Sequence, residues 1–271
     1  QQQQQQQPRL GIVPGTGALR EVAAARLDRG SWASVPDTVL VRVAHPAVEH
    51  SMCTPDGRGL LASLQRFVPN ACSADDLSSS KFSVCDVQRV GVLDLRLLNT
   101  DRHGGNLLVQ RAGEAEPRLH PIDHGLCLPT TLSETYAEWQ YWPQASVPFD
   151  AATLRYIAEL DLAADLATLQ ELDLPVAAQR NLVLATLFLQ EAARSGHSLA
   201  QIANMMCRPC PGRGAPSLFE KLVAQAQEID DDDEDEEEQQ HRSVVSLEAP
   251  LFERFRKLCS ATQLVQRRNT C

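Results

Sequence analysis

Two carboxylates, an imidazole and an amide crowd into one short stretch: Asp101, His103 and Asn106 in DRHGGN, then Asp123 in PIDHG. Gly104-Gly105 allows the backbone to turn tightly between His103 and Asn106. The apolar runs at Leu107–Val109 and Leu119–Ile122 read as two short strands around a Gly/Glu/Pro turn. Such a hairpin would bring Asn106 and Asp123 to one end. Hard oxygen donors from one Asn and one Asp, with room left over, suit Mg²⁺ carried on substrate phosphates rather than a closed cage. Phosphoryl transfer asks for that set: a metal at the phosphates, a carboxylate for the acceptor hydroxyl, and positive charge near the transferred group. Asn106 and Asp123 are then the metal residues, and Asp101 orients or deprotonates the hydroxyl. His103 is placed to donate to the γ-phosphate or share the proton.

Neighbouring groups read differently. His120 and His124 flank Asp123, but Pro121 prevents one helical face from carrying all three, which disfavours a transition-metal cluster. Arg102 is expected to be a structural ion-pair partner, and Asp94 with Arg96 a surface or lobe-fixing pair. Trp139, Tyr141 and Trp142 are expected to line a core. Cys207 and Cys210 form a C-x-x-C with no second ligand pair nearby, so zinc is not expected. Eight irregularly spaced cysteines suit reduced thiols of a cytoplasmic protein better than a disulfide framework.

These groups need a scaffold. The chain has 271 residues, 43% hydrophobic and 22% charged, enough for a buried core and unlike a disordered, collagenous or coiled-coil sequence. Its longest apolar stretch, near Leu182–Leu189, is far short of the ~20 residues of a membrane-spanning helix. Of the net charge of −10, nine negative charges come from the run Asp230–Glu238, a self-repelling, solvated segment, and the remainder is close to neutral. No stripe of Lys and Arg speaks for nucleic acid. Gln1–Gln7 is a homopolymer tract, disordered by composition.

Helices are expected over Ala18–Gly30 (with Thr16 able to cap it), Phe82–Asn99, Ala151–Leu172, Val176–Arg194 behind Pro175, Leu199–Met206, Leu218–Ile229 and Leu251–Leu264. The β-branched TVLVRV at Thr38–Val43 predicts a strand. Leu60–Val68 is a strand or connector, residues 46–59 a loop, and the polar stretch up to Ser80 another loop. The sum is an α+β chain: a small β element in a largely helical domain.

Asp-Arg-His-x-x-Asn followed by Asp-His-Gly resembles the signature of the phosphatidylinositol 3-/4-kinase superfamily. LDLRLLNTDRHGGNLLV, PIDHGLCLP and WQYWPQASVPF look like the plant and algal type II phosphatidylinositol 4-kinases of the gamma class. EVAAARLD, VPDT and LASLQRFV match that class as its helix, strand and hinge, and the similarity runs from about Gly11 to Ile229. The resemblance implies a two-lobed kinase-like fold, with an N-lobe remnant at about 11–68, a C-lobe at about 69–229 and a C-terminal helical tail over 241–271. It makes 101–106 the catalytic loop, with Asp101, His103 and Asn106 as working residues. Asp123 becomes the metal-binding head of the activation loop, and Gln65, Arg66, Phe67 and Val68 the hinge against adenine. It implies ATP and Mg²⁺ as cofactors, and phosphatidylinositol or a protein as acceptor. A cytoplasmic location with peripheral membrane contact follows, Arg256 and Arg267-Arg268 offering weak attraction to anionic lipid. The departures are upstream: no lysine precedes Lys81, and Gly15-Thr16-Gly17 reads as a turn rather than a phosphate loop. The expectation is a fragment of a longer product, or else a catalytically silent interaction module.

Overall fold

The computed structural model describes residues 11–44, 59–111, 117–132, 135–208, 214–228 and 249–262. The Gln tract, nearly all of the 46–59 loop, the turn between the two short strands, Cys210, the acidic run, and the end of the chain with Arg267-Arg268 and Leu264 lie outside them.

Helix α1 (Gly17–Leu27) forms where expected and buries Val22, Ala23, Ala24 and Leu27. Thr16 does not cap it: its hydroxyl donates to the Val13 carbonyl at 2.6 Å and accepts the Arg20 Nε–H at 2.9 Å. Gly15 turns the chain into the helix with φ +81°, as a turn reading requires. After α1 the chain enters an antiparallel ribbon of β1 (Thr38–Val43) and β2 (Leu60–Gln65), in register Thr38↔Gln65 to Val43↔Leu60. Leu40 packs toward α1, while Val39 and Leu64, cross-strand partners, stay 54% and 62% exposed.

A second antiparallel sheet holds β3 (Ala71–Ser73), β4 (Leu107–Gln110) and β5 (Arg118–Pro121) in the order β3-β4-β5. The hairpin expected from the sequence is β4–β5, paired from Leu107↔Pro121 to Gln110↔Arg118. Strand β3 corrects the expected polar loop. Three residues of mixed polarity carry no period-2 signal, and only pairing with Leu108–Gln110 makes them a strand.

Between β3 and β4 in the chain runs α2 (Val84–Leu97), which packs against β5 and is capped by the Ser83 hydroxyl accepting the Asp86 N–H at 3.0 Å. Its Val87, Val90, Leu93 and Leu97 are buried as their spacing predicts, with Leu98 behind them. The single helix expected over 151–172 is two, α3 (Ala151–Ala158) and α4 (Leu162–Glu171). Asp161 starts a new helix by accepting the N–H groups of Ala163 and Ala164, each at 3.1 Å. The long α5 (Val176–Arg194) is buried along most of its length and packs against α2, α3, α4 and α8. Then follow α6 (Leu199–Met206), α7 (Leu218–Gln227) and α8 (Ala249–Ala261). Phe188, Phe219 and Phe255 join α5, α7 and α8 through edge-to-face contacts with centroids 5.4 and 5.9 Å apart. Trp139 and Trp142 line the core, but Tyr141 is 72% exposed, so the aromatic trio is only partly core wall. No helix among the described residues is long and apolar enough to cross a membrane.

Helix α1 shares one apolar cluster with Leu93 and Leu97 of α2, Leu169 of α4 and Leu182 of α5. A buried charge network crosses the same junction. Arg96, fully buried, donates to Asp165 at 2.5 Å and to the Leu27 carbonyl at 3.2 Å, and Arg29 reaches the other Asp165 oxygen at 3.0 Å. The sequence expectation of a surface or lobe-fixing pair between Asp94 and Arg96 is corrected: neither lies at the surface and they do not pair with each other. Two positions apart on a helix, they point in different directions and find separate buried partners. Replacing Asp165 with Ala would leave Arg96 charged and unpaired in the interior, and is expected to lower the unfolding free energy by about 3–5 kcal/mol in a urea titration.

Candidate active site

The 101–106 loop is built on a buried cation. Arg102, with no exposed surface, donates to Asp94 through Nε at 3.0 Å and through Nη2 at 3.1 Å. Its Nη1 donates to the carbonyls of Asn106 at 2.6 Å and Ile122 at 2.8 Å. Asp94 also accepts from Trp139 Nε1 and Asn99 Nδ2, each at 2.9 Å. The expected structural role of Arg102 is borne out, and its partners say what it structures: the residue that precedes β4 and the residue that precedes Asp123.

Around this clamp the sequence-predicted residues gather. Ile122 N–H donates to the Asn106 carbonyl at 3.0 Å, closing the hairpin so that Asn106 and Asp123 stand at the same end. Asn106 Nδ2 donates to the Asp101 carbonyl at 3.1 Å, which commits the nitrogen and leaves the amide oxygen as the group suited to a cation. Asp101 is half-buried, and its N–H donates to Asn99 Oδ1 at 3.0 Å. His103 is exposed; its Nδ1 accepts the Gly105 N–H at 3.1 Å, so the neutral ring carries its proton on Nε2. Asp123 is exposed, with φ +55°.

The glycine pair works differently from the sequence expectation. Neither Gly104 nor Gly105 has a positive φ. What they supply is room: a Cβ on Gly104 would sit 2.1 Å from Asp75 Oδ1, and one on Gly105 would sit 2.9 Å from the His103 ring. The left-handed positions fall instead on Leu98, Asp123 and Leu128, which bracket the site with φ between +49° and +55°. For a leucine that conformation costs about 1–2 kcal/mol. Leu98 is held there by its N–H, which caps α2 on the Asp94 and Leu95 carbonyls, and Leu128 by donating to the Leu97 carbonyl at 2.7 Å.

Several supporting residues were not singled out by sequence reasoning. Glu138 Oε2 accepts the Gly104 N–H at 2.8 Å. Arg20 of α1, fully buried, donates to the carbonyls of Cys127 and Leu128. Its neighbour Glu21 lies 3.7 Å from His124 Nδ1. Burial pushes the Glu21 carboxyl up, but the His124 side chain and the N–H groups of His124 and Gly125 outweigh it and hold the group below its ordinary value. On the other side of the ring, His124 Nε2 accepts from Arg102 Nη2 at 3.0 Å, because a guanidinium can only donate. The only sequence signal for these roles was the adjacency of Arg20 and Glu21 on a helix otherwise rich in alanine.

No group of three or more His, Cys, Asp or Glu side chains able to hold a metal occurs among the described residues. His120 is tied instead to the Ser34 carbonyl and to Gln110, away from Asp123. The donor set present, one amide oxygen and one carboxylate, fits a hard cation that keeps most of its shell from phosphate and water. Of the residues expected at a hinge, Gln65 ends β2, and the Arg66 N–H donates to the Asp37 carbonyl at 2.8 Å.

A kinase-like α+β scaffold with this loop-and-hairpin arrangement can be placed. The family model for phosphatidylinositol 3- and 4-kinases matches residues 4–202, and the chain belongs to that family. It is 43% identical over 232 residues to phosphatidylinositol 4-kinase gamma 5 of Arabidopsis thaliana, covering 79% of this chain and 36% of that protein. With gamma 8 of the same plant the identity is 42% over 229 residues, 80% of this chain and 43% of the relative. With phosphatidylinositol 4-kinase gamma 4 of Oryza sativa subsp. japonica it is 37% over 230 residues, 80% and 39%. The chain spans about two-fifths of the length of these relatives.

The clamp gives a test. Arg102→Met leaves Asp94 buried without its cation and withdraws both donors from the Asn106 and Ile122 carbonyls. Urea unfolding is expected to show a loss of about 3–5 kcal/mol, and Asp94→Asn, which leaves the guanidinium charged without its counter-ion and turns an amide N–H toward other donors, a loss of similar size.

Proposed function

We propose that this chain carries the catalytic residues of an ATP- and Mg²⁺-dependent lipid kinase that moves the γ-phosphate of ATP to the inositol 4-hydroxyl of phosphatidylinositol. The observation that carries this reading is the closed hairpin end, where the Ile122-to-Asn106 bond sets an amide and a carboxylate on one edge. The printed names of the relatives support the lipid as acceptor.

In this reading the Asn106 amide oxygen and the Asp123 carboxylate hold Mg²⁺, which when bound neutralises phosphate charge. Asp101 accepts the proton of the attacking hydroxyl. The hydroxyl oxygen forms the new bond to the γ-phosphorus, the bond to the β–γ bridging oxygen breaks, and ADP departs with that electron pair. His103, with Nδ1 occupied by Gly105, offers its Nε2–H to the transferred group. Because the Arg66 N–H is spent on Asp37, the adenine contacts of the hinge fall to the backbone of Phe67 and Val68, with Gln65 and Arg66 framing them. Residues 11–68 serve as the remnant of the N-lobe and 69–229 as the C-lobe. The enzyme works on the cytoplasmic side and touches the membrane peripherally.

Incubation with radiolabelled ATP, phosphatidylinositol vesicles and a protein substrate is expected to label the lipid. Label confined to protein would overturn the acceptor in favour of a Ser/Thr protein kinase, and no label at all would favour a silent interaction module. Asp123→Asn is expected to abolish Mg²⁺-dependent turnover while circular dichroism and thermal melting stay unchanged; undiminished turnover would remove Asp123 from the metal site.

A further inference from the structure

The two peptide groups that flank Gly104 are each held by a side chain from outside the 101–106 loop. In the first, between His103 and Gly104, the N–H donates to Glu138 Oε2 at 2.8 Å, and the carbonyl accepts the Asn106 N–H at 3.0 Å. In the second, between Gly104 and Gly105, the carbonyl accepts the Ser73 hydroxyl at 3.2 Å and also the Leu107 N–H. The N–H of that second peptide, on Gly105, is the one that donates to His103 Nδ1 at 3.1 Å. A peptide group is planar, so holding its oxygen sets the direction of its N–H. The direction of the His103 ring is therefore governed by two peptides, and both are pinned from elsewhere in the fold.

The two outside groups are delivered by different elements. Glu138 arrives on a short parallel bridge to Arg102: the Arg102 N–H donates to the Tyr136 carbonyl at 3.1 Å, and the Glu138 N–H to the Arg102 carbonyl at 2.8 Å. Its carboxylate is committed to a backbone N–H, a charge-assisted bond stronger than one between neutral groups. Ser73 ends β3, where the pairing Ser73↔Leu108 sets it beside the loop. Its oxygen accepts the Asp75 N–H at 3.2 Å, which leaves its proton for Gly104. Both side chains are half-buried.

Resting on the assignment of His103 as donor to the transferred group, we propose that Glu138 is a positioning residue for this reaction, with Ser73 in a lesser supporting role. Glu138 acts through the imidazole alone. It fixes the peptide from which Gly104 and Gly105 continue, so that the Gly105 N–H stays on Nδ1 and the ring proton stays on Nε2. Ser73 contributes less because the carbonyl it holds keeps the Leu107 N–H without it.

The test compares the full chain with Glu138→Ala, Glu138→Gln and Ser73→Ala, by amide exchange in NMR and by turnover. Glu138→Ala is expected to speed exchange at Gly104 and Gly105 about tenfold or more, while Glu138→Gln, whose amide oxygen accepts the same N–H, stays near wild type. With radiolabelled ATP and phosphatidylinositol vesicles, Glu138→Ala is expected to lower kcat about tenfold or more with KM for ATP unchanged, and Glu138→Gln to recover most of it. Ser73→Ala is expected to move both readouts in the same direction by less, and it carries the test should Glu138→Ala fail to fold. In a His103→Ala background, Glu138→Ala is expected to cost no further turnover, because its effect runs through the ring. Unchanged exchange at both glycines, unchanged kcat in folded Glu138→Ala, or a kcat loss that persists in full without His103 would overturn the proposal. Should the wild-type chain label protein instead of lipid, the same comparison is read on that acceptor. Should it label neither, the kinase reading falls, and the exchange pattern alone decides whether Glu138 fixes the His103 loop.

Discussion

The site depends on one buried ion pair. Asp94 and Arg102 leave water together, and the guanidinium offsets that cost only because nearly every donor finds an acceptor: the Asp94 carboxylate, two backbone carbonyls and an imidazole nitrogen. The carboxylate is satisfied in turn by Trp139 and Asn99. Helix α2, the 101–106 loop, the open end of the hairpin and the Asp-His-Gly turn therefore meet at a single guanidinium. A planar fork with fixed donor directions specifies such a meeting point; a flexible ammonium would not.

Around that centre strain and support are paired. Leu98, Asp123 and Leu128 hold unfavourable left-handed backbone, and each adjoins a strong restraint: a helix cap at Leu98, the Arg102-bonded Ile122 carbonyl before Asp123, and Arg20 on the Cys127 and Leu128 carbonyls. Strain concentrated at a site and countered by its surroundings marks a preorganised site. The close approach of Asp75 to Gly104 and of the His103 ring to Gly105 adds a steric restraint, since any side chain at either position would displace its neighbour.

Much of this was legible in the sequence. Apolar spacing located α5 and α6 to the residue and α1 and α2 to within three residues at each end, β-branched residues located β1, and two short apolar runs located the hairpin. The break between α3 and α4 was missed because Asp161 sits in an otherwise helical pattern, and capping by one carboxylate outweighs periodicity there. Strand β3 was missed because its order comes from its partner. At the site, Asp101, His103, Asn106 and Asp123 stood out by type and spacing. Arg20, Glu21 and Glu138 did not, since a charged residue on a helix or in a turn looks solvated until tertiary structure buries it.

Helix α1 touches the β1–β2 ribbon on one side and, through Arg20 and Glu21, the 124–128 backbone on the other. A two-stranded ribbon has little stability of its own and takes its position from what it leans on. Tilting the ribbon therefore drags α1, and moving α1 pulls on carbonyls a few residues from Asp123. The short helix is a mechanical lever whose two arms are the ribbon and the segment that follows the Asp-His-Gly turn, so that neither can be displaced while the other stays at rest.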